Sequence, residues 1–317
     1  MSQFLITGGA GFIGSALARS LLRKGHKIVI VDNLTTGQEK NIPRDAEFIL
    51  ADLANPASIS LLPDFNFDAI VHLAAQSSGV IGQLEPYADF QTNVGSTMLL
   101  SRWCIEQRIT RFIYTSSMTV YGTANVVPMD EEAIYQPISY YGASKLASEN
   151  YLKIAAIEGI NATALRFYNV YGPGQNLGNI YQGMVSIYLA YLLNNAEVPV
   201  TGALDRFRDF LYIDDAVSAL ETILEMPKTP SPNYNIGTGK KYTVADVLSL
   251  LITEMGLPDN HPIKEVAGSP SDLFGSVADI TRARDELSWK PAVDLKSGLS
   301  KMVSWAKEQE KPGISHA

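Results

Sequence analysis

The sequence predicts an α/β protein with a doubly wound parallel sheet and a smaller C-terminal α/β part. In the first half, short runs rich in branched and aromatic residues alternate with longer helical stretches, which is typical of a parallel sheet covered on both faces. A glycine-rich turn joins the first strand-like run to the first helical stretch. After Tyr171-Gly172-Pro173 the rhythm becomes less regular. We therefore expect one domain over residues 1–172, with a returning segment at about 208–237, and a second over 173–317.

The individual elements follow from length, composition and breakers. The expected strands of the first half are Phe4 to Thr7, Lys27 to Val31, Phe48 to Leu50, Ala69 to Leu73, Arg111 to Thr115 and Ala162 to Phe167. The expected helices there are Phe12 to Lys24, Tyr87 to Gln107 and Tyr141 to Glu158. The second half adds a helix ending at Leu193, strands at Phe210 to Ile213 and Tyr234 to Ile236, and helices at Thr243 to Met255 and Leu295 to Trp305.

Composition excludes several classes of protein. The chain has 317 residues, 46% hydrophobic and 18% charged, which is ordinary globular composition. Its net charge of −8 argues against a nucleic-acid partner. No apolar run approaches the ~20 residues of a membrane helix, and no secretory signal is visible, so we expect a cytoplasmic protein. The single cysteine, Cys104, suits a reducing compartment, and the four scattered histidines predict no metal site.

The turn after the first strand has the pattern of a dinucleotide-binding loop. Glycines stand at positions 8, 11 and 14 of Thr7-Gly8-Gly9-Ala10-Gly11-Phe12-Ile13-Gly14. Gly8 permits a tight turn, Gly11 lets the backbone approach a pyrophosphate, and Gly14 lets helix and strand pack closely. The helix N-terminus around Phe12 and Ile13 offers free N–H groups to the anion. Taken alone, the pattern also fits an ordinary glycine-rich turn, but its context indicates a Rossmann-type fold.

An acidic residue follows at the expected distance. Asp32 ends the second strand, about 20 residues further on, where a carboxylate binds the adenosine ribose hydroxyls. The next residues are Asn33-Leu34, with no arginine to accept a 2′-phosphate, so we expect NAD and not NADP. Asp52-Leu53, after the third strand, either contacts the adenine edge or is a plain loop aspartate.

Two further segments carry candidate catalytic residues. Ser117 lies at the end of the fifth strand, and Tyr141 and Lys145 lie four apart at the start of a helix, on one face. Tyr140 has Ser144 at the same spacing and therefore lacks the lysine. A free tyrosine has a pKa near ~10, so acting as a base near neutral pH requires ~4 kcal/mol of preference for the phenolate. A nearby ammonium and an oxidised nicotinamide supply such a preference, and Ser117 orients the substrate hydroxyl.

Together these residues resemble the extended short-chain dehydrogenase/reductase family, in its nucleotide-sugar epimerase and dehydratase branch. The likeness covers nearly the whole chain and continues in Arg166 to Pro173, Arg208-Asp209-Phe210, Tyr234 to Gly237 and Ser288 to Pro291. It implies that Leu73, Ala74, Ala75, Asn93 and Tyr168 contribute to the NAD site. It implies that Asn169 and Arg208 meet the substrate diphosphate and nucleotide. It also implies a homodimer formed through the helices Tyr87 to Gln107 and Tyr141 to Glu158.

The branch can be narrowed within this resemblance. Dehydratases of the family carry Asp-Glu just before Val-Tyr-Gly, whereas this chain has Met118-Thr119 there, with no carboxylate. The segment is similar to that of 4-epimerases of the UDP-galactose type. The resemblance therefore implies C4 inversion of a UDP-hexose or UDP-N-acetylhexosamine through a 4-keto sugar.

Two positions depart from the family pattern. Ser269-Pro270-Ser271-Asp272 stands where the family usually has Arg-x-Gly-Asp, so Ser269 replaces a diphosphate-binding arginine while Asp272 is kept. Either another cation, Arg206 or Lys264, replaces that arginine, or the nucleotide lies differently. Ser276 occupies the position whose side chain, in 4-epimerases, limits the size of the group on the sugar C2. Either its small side chain admits N-acetylhexosamines, or Ser276 has no such role and only follows a flexible Phe274-Gly275 pair.

Two alternatives to a 4-epimerase stay open at this point. The first is an enzyme of the same family that epimerises another carbon or reduces a keto-sugar. The second is a catalytically silent NAD-binding regulator on the same fold, which the presence of Ser117, Tyr141 and Lys145 disfavours.

Overall fold

The computed structural model describes residues 1–123, 126–268, 273–309 and 312–313. Its strands are β1 (Gln3–Thr7), β2 (Lys27–Asp32), β3 (Glu47–Leu50), β4 (Ala69–His72), β5 (Arg111–Ser117), β6 (Asn161–Phe167), β7 (Val170–Tyr171), β8 (Val198–Thr201), β9 (Phe207–Arg208), β10 (Leu211–Tyr212), β11 (Asn233–Ile236), β12 (Tyr242–Thr243), β13 (Ile263–Val266) and β14 (Gly275–Ser276). Its helices are α1 (Phe12–Arg23), α2 (Gly79–Leu84), α3 (Pro86–Phe90), α4 (Ser96–Glu106), α5 (Tyr140–Ile157), α6 (Met184–Leu193), α7 (Ile213–Glu225), α8 (Val244–Met255), α9 (Thr281–Leu287) and α10 (Leu295–Lys307). Within those ranges, no helix has both the length and the hydropathy needed to cross a membrane.

Seven strands of the described chain form one parallel sheet, in the order β11-β6-β5-β4-β1-β2-β3. The predicted doubly wound parallel sheet is therefore confirmed. The strand order reverses beside β1, which pairs with β2 on one side and with β4 on the other. In open α/β sheets, the carboxyl ends of the strands beside such a reversal leave a crevice.

The sheet is buried on both faces. Side chains of β1 alternate between two apolar layers: Phe4 and Ile6 pack with Leu17 of α1, whereas Leu5 packs with Trp103 of α4. Helices α1 and α7 contact each other over one face, and α4 and α5 contact each other over the opposite face. A strand covered on both sides is apolar at successive positions, which explains the near-continuous hydrophobic runs of the sequence.

Within the described residues, the strands that follow β6, apart from β11, form three smaller sheets. Strands β8 and β13 pair in parallel, β7 pairs with β10, and β9 lies between β12 and β14. Helix α8 begins with a capping box, in which Thr243 and Asp246 each accept a hydrogen bond from the other's backbone N–H. The pairing of β14 with β9 places Ser276 opposite Arg208.

Several element bounds differ from those expected. The stretch Tyr87 to Gln107 is divided, because a π-helical turn, Gln91–Gly95, separates α3 from α4. The hydroxyls of Thr97 and Ser148 both donate to the Asn93 carbonyl, at 2.7 and 3.1 Å, and thereby stabilise the wider turn. The strand expected at Phe210 to Ile213 is confined to β10, since Ile213 already begins α7. Strand β5 continues to Ser117 because it pairs with β6 as far as Phe167.

A buried ion pair joins α5 to the sheet. The Arg166 guanidinium donates to both carboxylate oxygens of Glu149, from Nε at 2.9 Å and from Nη2 at 2.6 Å, and the two side chains are 0% and 2% exposed. Arg166 also donates to the Tyr121 hydroxyl at 2.8 Å, which donates in turn to Asn235 Oδ1 at 2.6 Å. Ser116 donates to Glu149 at 2.5 Å. The network thus ties the end of β5 to α5, β6 and β11.

Removal of one partner of this pair is expected to be strongly destabilising. Arg166→Met leaves the Glu149 carboxylate buried without its partner, and we expect a loss of about 3–5 kcal/mol in the free energy of unfolding, measured by urea denaturation. The surface pair Arg102–Glu158, with side chains 53% and 43% exposed, provides a matched control. Arg102→Met should cost less than about 1 kcal/mol. Equal, small losses in the two variants would contradict the structural role of the buried pair.

Candidate active site

A cleft of about 1600 Å³ opens along the carboxyl ends of the central strands. Its floor includes Gly8 after β1, Asp32 of β2, Leu73 after β4, Ser117 of β5 and Phe167 of β6. Residues 174–179 and 181–185 line its other side. Most candidate residues of the NAD site and all three candidate catalytic residues therefore lie on a single cavity.

The glycines of the first turn are required by close backbone approaches. Gly8 has a φ of +69°, and a Cβ there would lie 2.6 Å from the backbone nitrogen of Ala74. A Cβ on Gly14 would collide with the Gly8 carbonyl oxygen. At Gly11 a Cβ would meet only that same oxygen, at 3.1 Å, so this residue keeps the helix entrance open.

The N-terminus of α1 faces this cleft. Gly11 is the N-cap and no side chain caps the helix, while Gly11, Phe12, Ile13 and Gly14 all line the cavity. A helix start with uncapped N–H groups at a cavity suits the diphosphate of a dinucleotide.

Acidic residues lie at the adjacent end of the cavity. Asp32 is 7% exposed and accepts hydrogen bonds from the backbone N–H groups of Ala10, at 3.0 Å, and Leu34, at 2.8 Å. These two bonds leave acceptor capacity on its carboxylate at the cavity, as a ribose requires. Asn33, Asp52 and Leu53 also line the cavity, and Asp52 accepts a bond from the Ala54 N–H at 3.0 Å.

The other expected NAD contacts divide into two groups. Leu73, Ala74, Ala75 and Tyr168 line the cavity. Asn93 does not belong to the described lining: it is 1% exposed and lies beneath the cavity, where its Nδ2 donates to the Gln76 carbonyl at 3.0 Å and to Ser144 Oγ at 2.9 Å. Its position indicates support of the cavity floor.

Ser117, Tyr141 and Lys145 converge where β5 ends and α5 begins. The side chain of Ser139 caps α5 by accepting from the Gly142 N–H at 3.0 Å, which fixes the first turn that carries Tyr141. Tyr141 and Ser117 are joined by a side-chain hydrogen bond. Lys145 is 3% exposed, and its Nζ donates a hydrogen bond to the Thr115 carbonyl at 2.8 Å. The same Nζ lies 5.9 Å from the centre of the Tyr141 ring.

Burial dominates the electrostatics of this trio. It raises the pKa of Tyr141 to about 12, against the lowering effect of the hydrogen bond with Ser117, and Asp89 raises it further. Burial lowers the pKa of Lys145 to about 7, although Asp89 and Glu149 act in the opposite direction. The lysine therefore titrates close to neutral pH, directly beside the phenol.

His72, whose ring interacts with the charge of Lys145, is held in its neutral form. Burial, with a smaller contribution from the Lys145 charge, lowers the pKa of His72 to about 3. Its ring nitrogens contact Thr7 Oγ1, at 2.7 Å, and Ser96 Oγ, at 3.3 Å. In the part of the chain that the structure describes, no group of three or more His, Cys, Asp or Glu side chains is arranged to hold a metal ion.

The residues expected near the sugar are only partly brought to the cavity. Asn169 lines it and donates from Nδ2 to the Asp209 carbonyl at 2.8 Å. Ser276 is fully buried, with its Oγ 2.9 Å from the sulfur of Met118, and Met118 itself lines the cavity. Ser276 therefore lies behind Met118 and contacts the cavity lining only through this residue, as far as the lining is described.

The residues expected to bind the nucleotide lie outside the described lining. Arg208 is 6% exposed and donates to the carbonyls of Leu273, at 2.5 Å, and Phe274, at 3.1 Å. Ser269 and Asp272 lie outside the described residues. The two proposed substitute cations, Arg206, which donates to the Ala203 carbonyl at 3.4 Å, and Lys264, on β13, are not part of the described lining either.

Two polar residues of this region were missed by the sequence analysis. Gln76 lines the cavity and donates from Nε2 to Oδ2 of the buried Asp89 at 2.7 Å. Gln76 directly follows the Leu73-Ala74-Ala75 segment, so its place past the end of a parallel strand was the available signal. Asp89 gives no such local signal, because only the packing of α3 against α5 brings it inward.

Known proteins resemble this chain over nearly its whole length. The model of the NAD dependent epimerase/dehydratase family matches residues 4–237. A putative UDP-glucose 4-epimerase of Methanocaldococcus jannaschii is 32% identical, over 98% of this chain and 100% of that protein. The crystal structure of Thermotoga maritima UDP-glucose 4-epimerase with UDP-glucose has a TM-score of 0.90 and 34% identity, and covers 96% of this chain and 98% of that one. A UDP-N-acetylglucosamine 4-epimerase of Methanobrevibacter ruminantium, in complex with UDP-N-acetylmuramic acid, has a TM-score of 0.87 and 28% identity, and covers 96% and 97%.

The buried charge of Lys145 predicts a specific dependence of stability on pH. Because the pKa of Lys145 falls to about 7 in the folded protein, the unfolded chain binds more protons between about pH 7 and the usual lysine pKa of ~10.4. In that window the folded protein gains stability as pH rises. Lys145→Met removes the titrating group, so the stability of the wild type relative to this variant should rise from pH 7 to pH 10, measured by thermal unfolding.

The exposed lysine on the same helix, Lys153, provides the control. The wild type relative to Lys153→Met should show no comparable change across this pH window. A difference in stability between the wild type and Lys145→Met that stayed constant from pH 7 to pH 10 would contradict the lowered pKa of Lys145.

Proposed function

Because the chain belongs to the NAD-dependent epimerase/dehydratase family, we propose that it inverts C4 of a UDP-hexose or UDP-N-acetylhexosamine. The observation that carries this proposal is the convergence of Ser117, Tyr141 and Lys145 beside Met118-Thr119, where no carboxylate follows the serine. A dehydratase also has to eliminate water from the sugar, which needs an acid and a base in addition to the base of the oxidation step. Met118 and Thr119 supply neither. The relatives found by sequence and structure that are named 4-epimerases support the same choice.

The cofactor is NAD, and the cavity fits it. The uncapped start of α1 at Gly11 suits the diphosphate, and the free acceptor capacity of Asp32 suits the adenosine ribose. When bound, NAD supplies the acceptor for the hydride of C4, the donor for its return and a positive ring charge that favours the phenolate.

The residues of the chain handle the proton of the C4 hydroxyl. Ser117 Oγ accepts hydrogen bonds from the N–H and the hydroxyl of Thr119, at 3.2 and 2.9 Å, which leaves its own hydrogen to orient the substrate or Tyr141. Tyr141 removes the hydroxyl proton as the C4–H bond breaks, and C4 becomes a carbonyl. The Lys145 ammonium stabilises the phenolate. Once the 4-keto sugar has turned over in the cavity, so that its opposite face would be reduced, Tyr141 returns the proton to the C4 oxygen.

The direct test is a proton NMR assay without added cofactor. The protein is incubated with UDP-glucose, UDP-N-acetylglucosamine, their uronic acid forms, and a GDP and a CDP hexose, and the anomeric signals are followed. We expect the C4 epimer to form from a UDP sugar. No C4 epimer from any of these, with NAD⁺ supplied, would contradict the proposal, and net consumption of added NADH would indicate a reductase instead.

Tyr141→Phe should slow the reaction strongly by removing the proposed base. We expect a loss of ~10²–10⁴-fold in kcat with little change in KM, because the phenyl ring preserves the cavity. Tyr140→Phe is the matched control: Tyr140 is the neighbouring, 51% exposed tyrosine, and its loss should leave kcat within about twofold. Similar losses in both variants would show that Tyr141 has no special role.

We further propose that the protein is a cytoplasmic homodimer. Helices α3, α4 and α5 pack together and expose large apolar side chains: Tyr87 is 71% exposed, Phe90 52% and Ile154 57%. Exposed apolar side chains on helices that pack together suit an isologous contact with a second copy of the chain. The one cysteine, Cys104, is buried and free, which suits a reducing compartment.

A charge placed on this surface should separate the subunits. Ile154→Asp is expected to convert the dimer to a monomer in size-exclusion chromatography with light scattering, because burying an unpaired carboxylate is unfavourable. Leu50→Asp, at a 61% exposed position on the edge strand β3, should leave the mass unchanged. A monomeric wild type, or an Ile154→Asp protein of dimer mass, would contradict the proposed interface.

A further inference from the structure

Asp89 is a buried carboxylate that the reaction described above does not use. It lies on α3 and is 1% exposed. Its Oδ2 accepts a hydrogen bond from Gln76 Nε2 at 2.7 Å, whereas its Oδ1 has no hydrogen-bond partner within the described ranges. Burial raises the pKa of Asp89, and the hydrogen bond from Gln76 and the charge of Lys145 act in the opposite direction. A buried carboxylate in this state is costly unless a nearby positive charge stabilises it.

The surroundings of Asp89 connect it to the base of the catalytic helix. Asn93 Nδ2 bridges the Gln76 carbonyl, at 3.0 Å, and Ser144 Oγ, at 2.9 Å. Ser144 immediately precedes Lys145 on α5. Four elements thus meet behind the trio: the loop after β4, α3, the π-helical turn and α5.

Lys145 faces several titratable groups, and their charges differ in availability. These groups are His72 on β4, Tyr114 on β5, Asp89 on α3, and Tyr141 and Glu149 on α5. His72 and Tyr114 are neutral, since burial lowers the pKa of the former to about 3 and raises that of the latter. Glu149 is already paired through both oxygens with Arg166. Within the described ranges, Asp89 forms no ion pair at salt-bridge distance. Its charge, unlike that of Glu149, is therefore not neutralised by an arginine.

We propose that Asp89 is a positioning residue that keeps Lys145 in its ammonium form beneath Tyr141. The effect of this role on turnover rests on the epimerase reaction proposed above. The charge of Lys145 does not, because it can be measured without any reaction. Gln76 holds Asp89 in place through its hydrogen bond to Oδ2, and Asn93 in turn links Gln76 to Ser144. A Cβ at Gly82 would lie 2.9 Å from Asp89 Oδ2, so the glycine leaves the room that the carboxylate needs.

The direction of the effect follows from the charges. Burial lowers the pKa of Lys145, and Asp89 and Glu149 raise it, so loss of the Asp89 charge should lower it further. The same charge raises the pKa of Tyr141, which should therefore fall as well. Both limbs of a pH–activity profile should then move to lower pH, whereas a purely structural defect would lower the profile without moving it.

The first experiment measures the Lys145 charge without turnover. The protein is labelled with ¹³Cε-lysine, the Lys145 signal is assigned by its absence in Lys145→Met, and its chemical shift is followed with pH. Asp89→Asn should lower the midpoint by about one pH unit. Asp215→Asn is the matched control, since Asp215 is also buried, at 3% exposure, but accepts its bonds from the N–H groups of Ala292 and Val293. An unchanged midpoint in Asp89→Asn would overturn the proposal.

The second experiment measures the consequence for turnover. If the wild type epimerises a UDP sugar, the alkaline limb of kcat for Asp89→Asn should shift to lower pH, with little change in KM. Asp89→Ser removes the charge through a different side chain and should shift the limb in the same direction, which guards against a folding defect in one variant. Unshifted limbs in both folded variants would overturn the role in turnover. A wild type without epimerase activity would refute the proposed function alone, because the ¹³C titration would still decide the charge of Lys145.

Discussion

The arrangement of this active site depends on the burial of one ammonium group. Lys145 is 3% exposed, and removal from water favours its neutral form, so its pKa falls to about 7. The protein offsets part of that cost with the Thr115 carbonyl, at 2.8 Å, and with the carboxylates of Asp89 and Glu149. These compensating groups come from β5, α3 and α5, so the packing of those three elements is coupled to the protonation of a single side chain.

The parallel sheet determines where this chemistry takes place. Because all seven strands of the described sheet run in one direction, their carboxyl ends share one edge, where Asp32 and Ser117 both lie. The N-terminus of α1 opens at the same edge. The buried network of Glu149, Arg166 and Tyr121 keeps β5 and α5 in register behind it. The same edge therefore brings together the residues proposed to bind the cofactor and those proposed to transfer the proton.

The sequence predicts the features that local spacing encodes. The glycines of the first turn, Asp32 at the end of β2, and the Tyr141–Lys145 spacing can be recognised because each depends on neighbours in the chain. The burial of Arg208 and Ser276 could not be foreseen, since it arises from the pairing of β9 with β14, 65 or more residues apart. Asp89 likewise gains its significance only when α3 packs against α5. What the sequence leaves open is thus the set of contacts made between distant segments.

In the proposed reaction the C4 hydrogen leaves and returns as a hydride, while Tyr141 moves only the proton of the C4 hydroxyl. Conversion of a UDP-hexose in D₂O, followed by mass spectrometry and NMR of the recovered sugar, tests this claim most directly. The C4 epimer should form without deuterium on any carbon, because in this reaction no carbon-bound hydrogen exchanges with solvent. Deuterium at C4, or at the neighbouring C3 or C5, would contradict it and would indicate proton abstraction from carbon instead.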